Sequence, residues 1–307
     1  MNPAPFPPSP LYQSFVPGFK LKPAVLSRPR AFKTQLAWIN GQMLPFDPAN
    51  AQFLSPTRPD GAGVGVGIRC FATTRGPAVF RLREQMTQFL QTAQALGLDE
   101  PRFTLEQLCQ AVFGVIEGNG LSDCWVRPQL FFNADNGEPV ICLTAWPCEP
   151  FLEPEPLVSV CTRFSHTPPL FKSNADETIL LDRDGVVVEW SRGHLFLARD
   201  NGLSVLPEAS GRDSLMQDMV MTLARDAGYP VVDAAFTREA LLAADELFVC
   251  GPAADVVAVR KVDDHLVGQG QVGRITQKIR EMVTETVRGR SRRSLHWLEY
   301  VVSQPLF

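Results

Sequence analysis

The sequence predicts an α/β protein of two consecutive domains. Three observations carry that expectation: a length of 307 residues, one proline-dense break near the middle, and strand-like apolar runs interleaved with helical ones on both sides of it. A chain of this length exceeds one average domain and can bury sizeable cores. The break is Pro147-Cys-Glu-Pro-Phe-Leu-Glu-Pro-Glu-Pro156, where four prolines in ten positions exclude regular structure. The expected boundaries are a proline-rich arm over 1–33, a first domain over 34–146, a linker over 147–156 and a second domain over 157–307.

Eight prolines between Pro3 and Pro29, with interleaved aromatics, make the arm resist helix. An extended segment packed on the body or on a partner subunit, or a plain tail, fits that composition. Globular patterning starts at Leu36-Ala-Trp-Ile-Asn-Gly-Gln-Met-Leu44, where two apolar runs flank Asn40-Gly41, a strong hairpin signal. Apolar runs over 64–73 and 78–82 bracket a second turn at Thr74-Arg-Gly-Pro77. Met86, Phe89, Leu90, Ala93 and Leu96 recur at helical spacing over 84–96, and Gly97 stops the run. Residues 105–117 repeat that pattern, and strands over 124–132 and 139–146 complete the first domain. In the second domain the pattern predicts strands at 157–163, 177–181, 186–190, 195–198, around Val231, and at 245–250 and 256–262. Helices are expected at 214–227, 238–243 and 275–287.

The balance of 29 Lys and Arg against 33 Asp and Glu leaves no basic footprint for nucleic acid. Seven cysteines without C-x-x-C spacing argue against a zinc ribbon or a disulfide framework, and reduced thiols are expected. Cys250, beside Gly251, reads as a buried strand cysteine rather than a nucleophile. No H-x-x-H, H-E-x-x-H or calcium-type loop appears, and the four histidines are dispersed, so no metal is expected. No apolar run is long enough to cross a bilayer and no secretory pattern opens the sequence; a cytoplasmic location without a membrane partner is the expectation. The glycines of Gly61-Ala-Gly-Val-Gly-Val-Gly67 have period-two spacing, which suits a strand and not a nucleotide loop.

Several stretches, in collinear order, resemble branched-chain aminotransferases of class IV. They are Trp38-Ile-Asn-Gly41, Gly67-Ile-Arg69 followed by Gly76-Pro-Ala-Val-Phe-Arg-Leu82, and Val126-Arg-Pro128. In the second half come Asn174-Ala-Asp-Glu-Thr-Ile-Leu-Leu-Asp-Arg-Asp-Gly185, the segment from Phe236 to Phe248, and Gly270-Gln-Val-Gly-Arg-Ile-Thr-Gln-Lys278. The resemblance runs from residue 36 to about 285 and implies the two-domain fold-type-IV (D-amino-acid aminotransferase-like) fold, a site between the domains, and a homodimer.

In that family transamination needs a lysine bonded to pyridoxal phosphate, a carboxylate on the pyridine nitrogen and a phosphate cup of N–H groups, hydroxyls and arginine. By resemblance Arg69 is the phosphate-binding arginine, Glu189 faces the pyridine nitrogen, Lys172 aligns with the bonding lysine and Arg127 is a substrate-side arginine. The departures are large. Pro168-Pro-Leu-Phe-Lys172 is followed almost at once by Asn174-Ala-Asp-Glu177, so that a helix of roughly four or more turns is expected to be missing after Lys172. The family's threonine-bearing turns become Ser214-Leu-Met216 and Gly251-Pro-Ala253, and Pro252 offers neither hydroxyl nor N–H. Substrate-side aromatics give way to Arg58 and Asp60, and the segment after Glu189 supplies Arg192 and His194.

These departures lead to the expectation of no cofactor. The first reading is an enzyme independent of pyridoxal phosphate, working on a small carboxylate or acyl substrate through Arg69, Asp60, Glu189, His194 and Lys172, with Arg58, Arg127 and Arg192 binding that substrate. A non-catalytic binding or scaffold protein, and a working pyridoxal-phosphate aminotransferase using Lys172, stand as alternatives.

Overall fold

The structure is a computed structural model that describes residues 35–46, 63–98, 102–132, 137–148, 157–164, 177–190, 193–207, 215–251 and 255–301. The arm over 1–33 and most of the linker lie outside them. Chain order gives β1 Gln35–Ile39, β2 Gln42–Phe46, β3 Gly63–Gly65, β4 Ile68–Thr73, β5 Gly76–Phe80, α1 Leu82–Ala95, α2 Leu105–Gly118, β6 Cys124–Phe132 and β7 Pro139–Pro147. There follow β8 Leu157–Phe164, β9 Glu177–Leu181, β10 Val187–Trp190, β11 His194–Arg199, β12 Gly202–Val205, α3 Leu215–Asp226, β13 Val231–Asp233 and α4 Arg238–Leu242. The chain continues through β14 Glu246–Cys250, β15 Val256–Val262, β16 His265–Leu266, α5 Arg274–Val287, α6 Ser294–Trp297 and β17 Leu298–Tyr300.

The strands form two sheets among the described residues. The first runs β17-β5-β4-β6-β7-β1-β2 with β3 on β6; the second runs β10-β9-β8-β15-β14-β11-β12-β13 with β16 on β15. Asn40 and Gly41 both take positive φ, 46° and 95°, and close the β1–β2 hairpin at the turn their residue types favour. The run over 64–73 forms two strands instead of one. Both keep a single register on β6, with Gly65 opposite Gln129 and Ile68 opposite Val126, and the break falls at Pro128. The Val66 N–H donates to the Pro128 carbonyl at 3.2 Å, but proline has no N–H to return the bond. β12, β16, α6 and β17 are absent from the sequence reading because each is two to four residues long, too short for periodicity to register. β17 matters most: Leu298 lies opposite Phe80, so the last described strand returns to the first sheet.

Period-two alternation divides the first sheet into two faces. Ile68, Cys70, Val79, Cys124, Val126, Leu130, Ile141, Leu143 and Ala145 face α1 and α2 in one apolar cluster. Phe71, Ala78 and Phe80, on the other face, join a second cluster with Phe196, Phe248 and Cys250 of the second sheet and with residues of α3 and α5. That cluster ties the β4–β5 part of the first sheet to the second. The β6–β7 part carries the polar side chains described below.

The start of α5 is fixed by a carboxylate. Glu246 accepts from the N–H groups of Ile275 (2.9 Å) and Thr276 (2.7 Å) and from the Thr276 hydroxyl (2.7 Å), which satisfies first-turn donors that the helix itself leaves open. A Cβ on Gly273 would lie 1.9 Å from Glu246 Cδ, so only glycine admits this cap. Replacing Glu246 by alanine is expected to lower unfolding free energy by about 2 kcal/mol in urea titration; an unchanged midpoint would remove the cap from the account.

Candidate active site

Arg69 is at the centre of the polar face. It sits on β4 opposite Trp125 and is 8% exposed. Its guanidinium stacks over Phe71 at 5.1 Å and Trp125 at 5.6 Å, which fixes its plane. Nη1 donates to the carbonyls of Cys70 (2.9 Å) and Cys124 (3.1 Å), and Nη2 pairs with Asp123 Oδ1. Nε is buried with no hydrogen-bond partner. A buried charged donor in that condition is costly, and an anion is the partner that would offset the cost.

Arg127 stands two residues along β6 from Trp125 on the same face, placing its Cα roughly 7–8 Å from that of Arg69 as a diagonal cross-strand neighbour. It is half-buried. Burial is the one cause pulling its pKa below the usual arginine range, with no carboxylate among the described residues offsetting it. Gln129 and Thr144, both buried, extend the polar face, Thr144 lying opposite Arg127 on β7. Bulk is withheld in front of these groups: a Cβ on Gly65 would lie 3.8 Å from Arg127 Nε, and one on Gly67 would touch the Trp125 ring at 3.4 Å. Gly65 and Gly67 therefore lie beside Arg127 and Trp125 on this face.

From the second sheet comes His194, half-buried at the start of β11 and opposite Cys250 in register. Gly193 before it has φ +145°, and a Cβ there would be 2.3 Å from the Cys250 carbonyl oxygen. The close approach packs the start of β11 on the end of β14, where the Gly251 N–H donates to the Asp255 carbonyl at 3.3 Å. Cys250 is fully buried, which pushes its thiol pKa well up, as suits a strand cysteine and not a nucleophile.

Of the residues expected from sequence, the structure brings Arg69 and Arg127 onto one face of the first sheet, and His194 opens β11 of the second sheet opposite Cys250. Glu189 is on β10, opposite Leu180 beside an irregularity in pairing, and its backbone alone is described. Arg58, Asp60, Lys172 and Arg192 lie outside the described residues, as do Ser214 and Pro252. Sequence reasoning missed Asp123 and Arg288. Arg288 Nη1 donates to Asp123 Oδ2 at 2.7 Å and to the Ala72 carbonyl at 3.0 Å, completing an Arg69–Asp123–Arg288 chain. A separate groove of about 560 Å³, lined by Asp226, Lys278, Glu281 and Arg293 among others, shares no residue with this face.

Comparison with known proteins decides the family. A model described as amino-transferase class IV matches residues 170–262. The branched-chain-amino-acid aminotransferase of Escherichia coli strain K12 is 28% identical over 305 residues, spanning 88% of this chain and 98% of that protein. The T.th. branched-chain amino acid aminotransferase, solved with pyridoxamine 5'-phosphate, is 30% identical with a TM-score of 0.79, over 89% of this chain and all of that one. This chain belongs to the class IV aminotransferase family. Its fold is fold type IV, and within the class it resembles the branched-chain enzymes.

The same T.th. enzyme has been solved with N-(5'-phosphopyridoxyl)-L-glutamate (TM-score 0.78) and with 4-methylvaleric acid (TM-score 0.77). These relatives correct the expectation of no cofactor, and with it the reading of an enzyme independent of pyridoxal phosphate. That expectation gave most weight to Lys172, Ser214 and Pro252. Arg69, which the structure does describe, fits the cofactor's phosphate: its Nε is a buried, charge-bearing donor that still lacks a partner.

Exchanging Gly193 for alanine forces the Cys250-Gly251 backbone to move and is expected to cost about 1–3 kcal/mol of stability, read from thermal unfolding. A wild-type melting temperature in that variant would show that the approach is not tight.

Proposed function

We propose that the chain is a pyridoxal-phosphate-dependent aminotransferase that exchanges an amino group between an amino acid with an apolar side chain and a 2-oxo acid. The observation that carries this reading is the pair of desolvated arginines on one sheet face, Arg69 with an unpartnered Nε and Arg127 with no offsetting carboxylate among the described residues. Two anion seats on neighbouring strands of one face suit a cofactor phosphate and a substrate carboxylate. The complex with 4-methylvaleric acid in the T.th. enzyme supports the apolar substrate class, and the adduct with L-glutamate supports an amino acid as the other amino-group partner.

When bound, pyridoxal phosphate supplies the electron sink for the substrate's amine-bearing carbon. The chain's own residues do the rest. Arg69 would hold the phosphate through its guanidinium, whose plane Phe71 and Trp125 keep fixed. Arg127 orients the substrate carboxylate, which it binds the more strongly for being partly removed from water. Lys172 is the amine proposed to bond the cofactor and to carry a proton during the exchange. Glu189 is proposed to keep the pyridine nitrogen protonated, with Arg58, Asp60, Arg192 and His194 around the substrate. A homodimer in the cytoplasm completes the reading; among the described residues no helix is long and apolar enough to cross a membrane.

The test is chemical. Protein incubated with pyridoxal phosphate, reduced with borohydride and digested is expected to yield the cofactor on the peptide containing Lys172, with the absorbance band lost in Lys172→Ala. Label on another lysine, or none, would defeat the assignment. In the loaded enzyme Arg127→Met is expected to raise KM for the amino acid roughly tenfold or more, as loss of a charged hydrogen bond does, with cofactor occupancy unaltered; equal loss of both would move Arg127 out of the substrate seat.

A further inference from the structure

We propose that Asp123 is a built-in rival of phosphate for Arg69, and that Arg288 sets how strongly it competes. The inference rests on the reading of Arg69 as a phosphate seat. Asp123 precedes β6, its side chain is 29% exposed, and its two oxygens face different guanidinium groups, Oδ1 toward Arg69 and Oδ2 toward Arg288 at 2.7 Å. Arg288 follows the last turn of α5 and is held by the Ala72 carbonyl as well, so it is anchored from the far side of the carboxylate. Gly289 after it turns with φ +79°, and a Cβ there would be 3.1 Å from the Tyr300 hydroxyl and 3.2 Å from Thr73 Cβ, which leaves this corner little room to shift.

Each part of the chain has a physical consequence. Without an anion, Arg69 is a buried cation whose neutralising partner is Asp123, which keeps the guanidinium aimed while the seat is empty. With phosphate present, the same carboxylate repels the incoming charge and draws on the guanidinium that must bind it. Arg288 shares the carboxylate and weakens that pull. The three groups carry a net charge of +1, so the seat still attracts an anion, but less than an isolated arginine would. Asp123 is therefore a positioning residue, acting on phosphate through Arg69.

Inorganic phosphate is the probe, titrated by calorimetry and by thermal shift into the purified full chain freed of cofactor. Asp123→Asn is expected to melt lower than wild type without phosphate, to bind phosphate about threefold or more tightly, and to recover its stability as phosphate saturates. A strut with no link to the anion would lower the melting temperature equally with and without phosphate, and that result overturns the proposal. Arg288→Met, which gives Asp123 wholly to Arg69, is expected to weaken phosphate binding and serves if the first variant does not fold; wild-type affinity there also overturns it. Arg69→Met sorts the two levels. If it abolishes the phosphate response and Asp123→Asn leaves affinity unchanged, the rivalry fails while the seat stands; if it leaves the response intact, the phosphate reading fails and takes the rivalry with it.

Discussion

A guanidinium that has been taken out of water must have every one of its donors answered, and the site is organised around that demand at Arg69. Two backbone carbonyls, a carboxylate and two aromatic faces meet most of it, and Nε is left over. β4 and β6 supply both carbonyls because Cys70 and Cys124 lie opposite each other in the ladder. The charge can sit there because Phe71, which floors it, also belongs to the apolar cluster that joins the two sheets. Packing, register and electrostatics thus converge on one side chain.

Much of this was legible from the residues. Hydrophobic alternation and helical spacing located all the longer elements, and Asn40-Gly41 marked its hairpin because the turn demands positive φ at both positions. Arg69 and Arg127 were found through motifs that place them on neighbouring strands. The chain from Asp123 to Arg288 was not legible: a lone acid before a strand and an arginine after a helix are what solvated ends ordinarily look like, and 165 positions separate them. β17 escaped for a related reason, since three residues carry no period and their partner lies far back at Phe80.

The expectation that failed, the absence of a cofactor, failed instructively. It counted donors lost from the family's phosphate cup at Ser214 and Pro252 and treated each as equal. Donors are not equal. One buried, charge-bearing N–H held in a fixed plane contributes more to an anion than several hydroxyls exposed to water, because the low dielectric around it strengthens the attraction. A cup poorer in hydroxyls is thus compatible with the proposed phosphate ligand at Arg69, whose guanidinium Asp123 pairs with in this structure.

The most direct test is a crystal structure of the protein grown with pyridoxal phosphate. The phosphate is expected within hydrogen-bonding distance of Arg69 Nε, with the guanidinium still stacked on Phe71 and Trp125. Cofactor bound with its phosphate away from Arg69, and Nε still without a partner, would contradict the account.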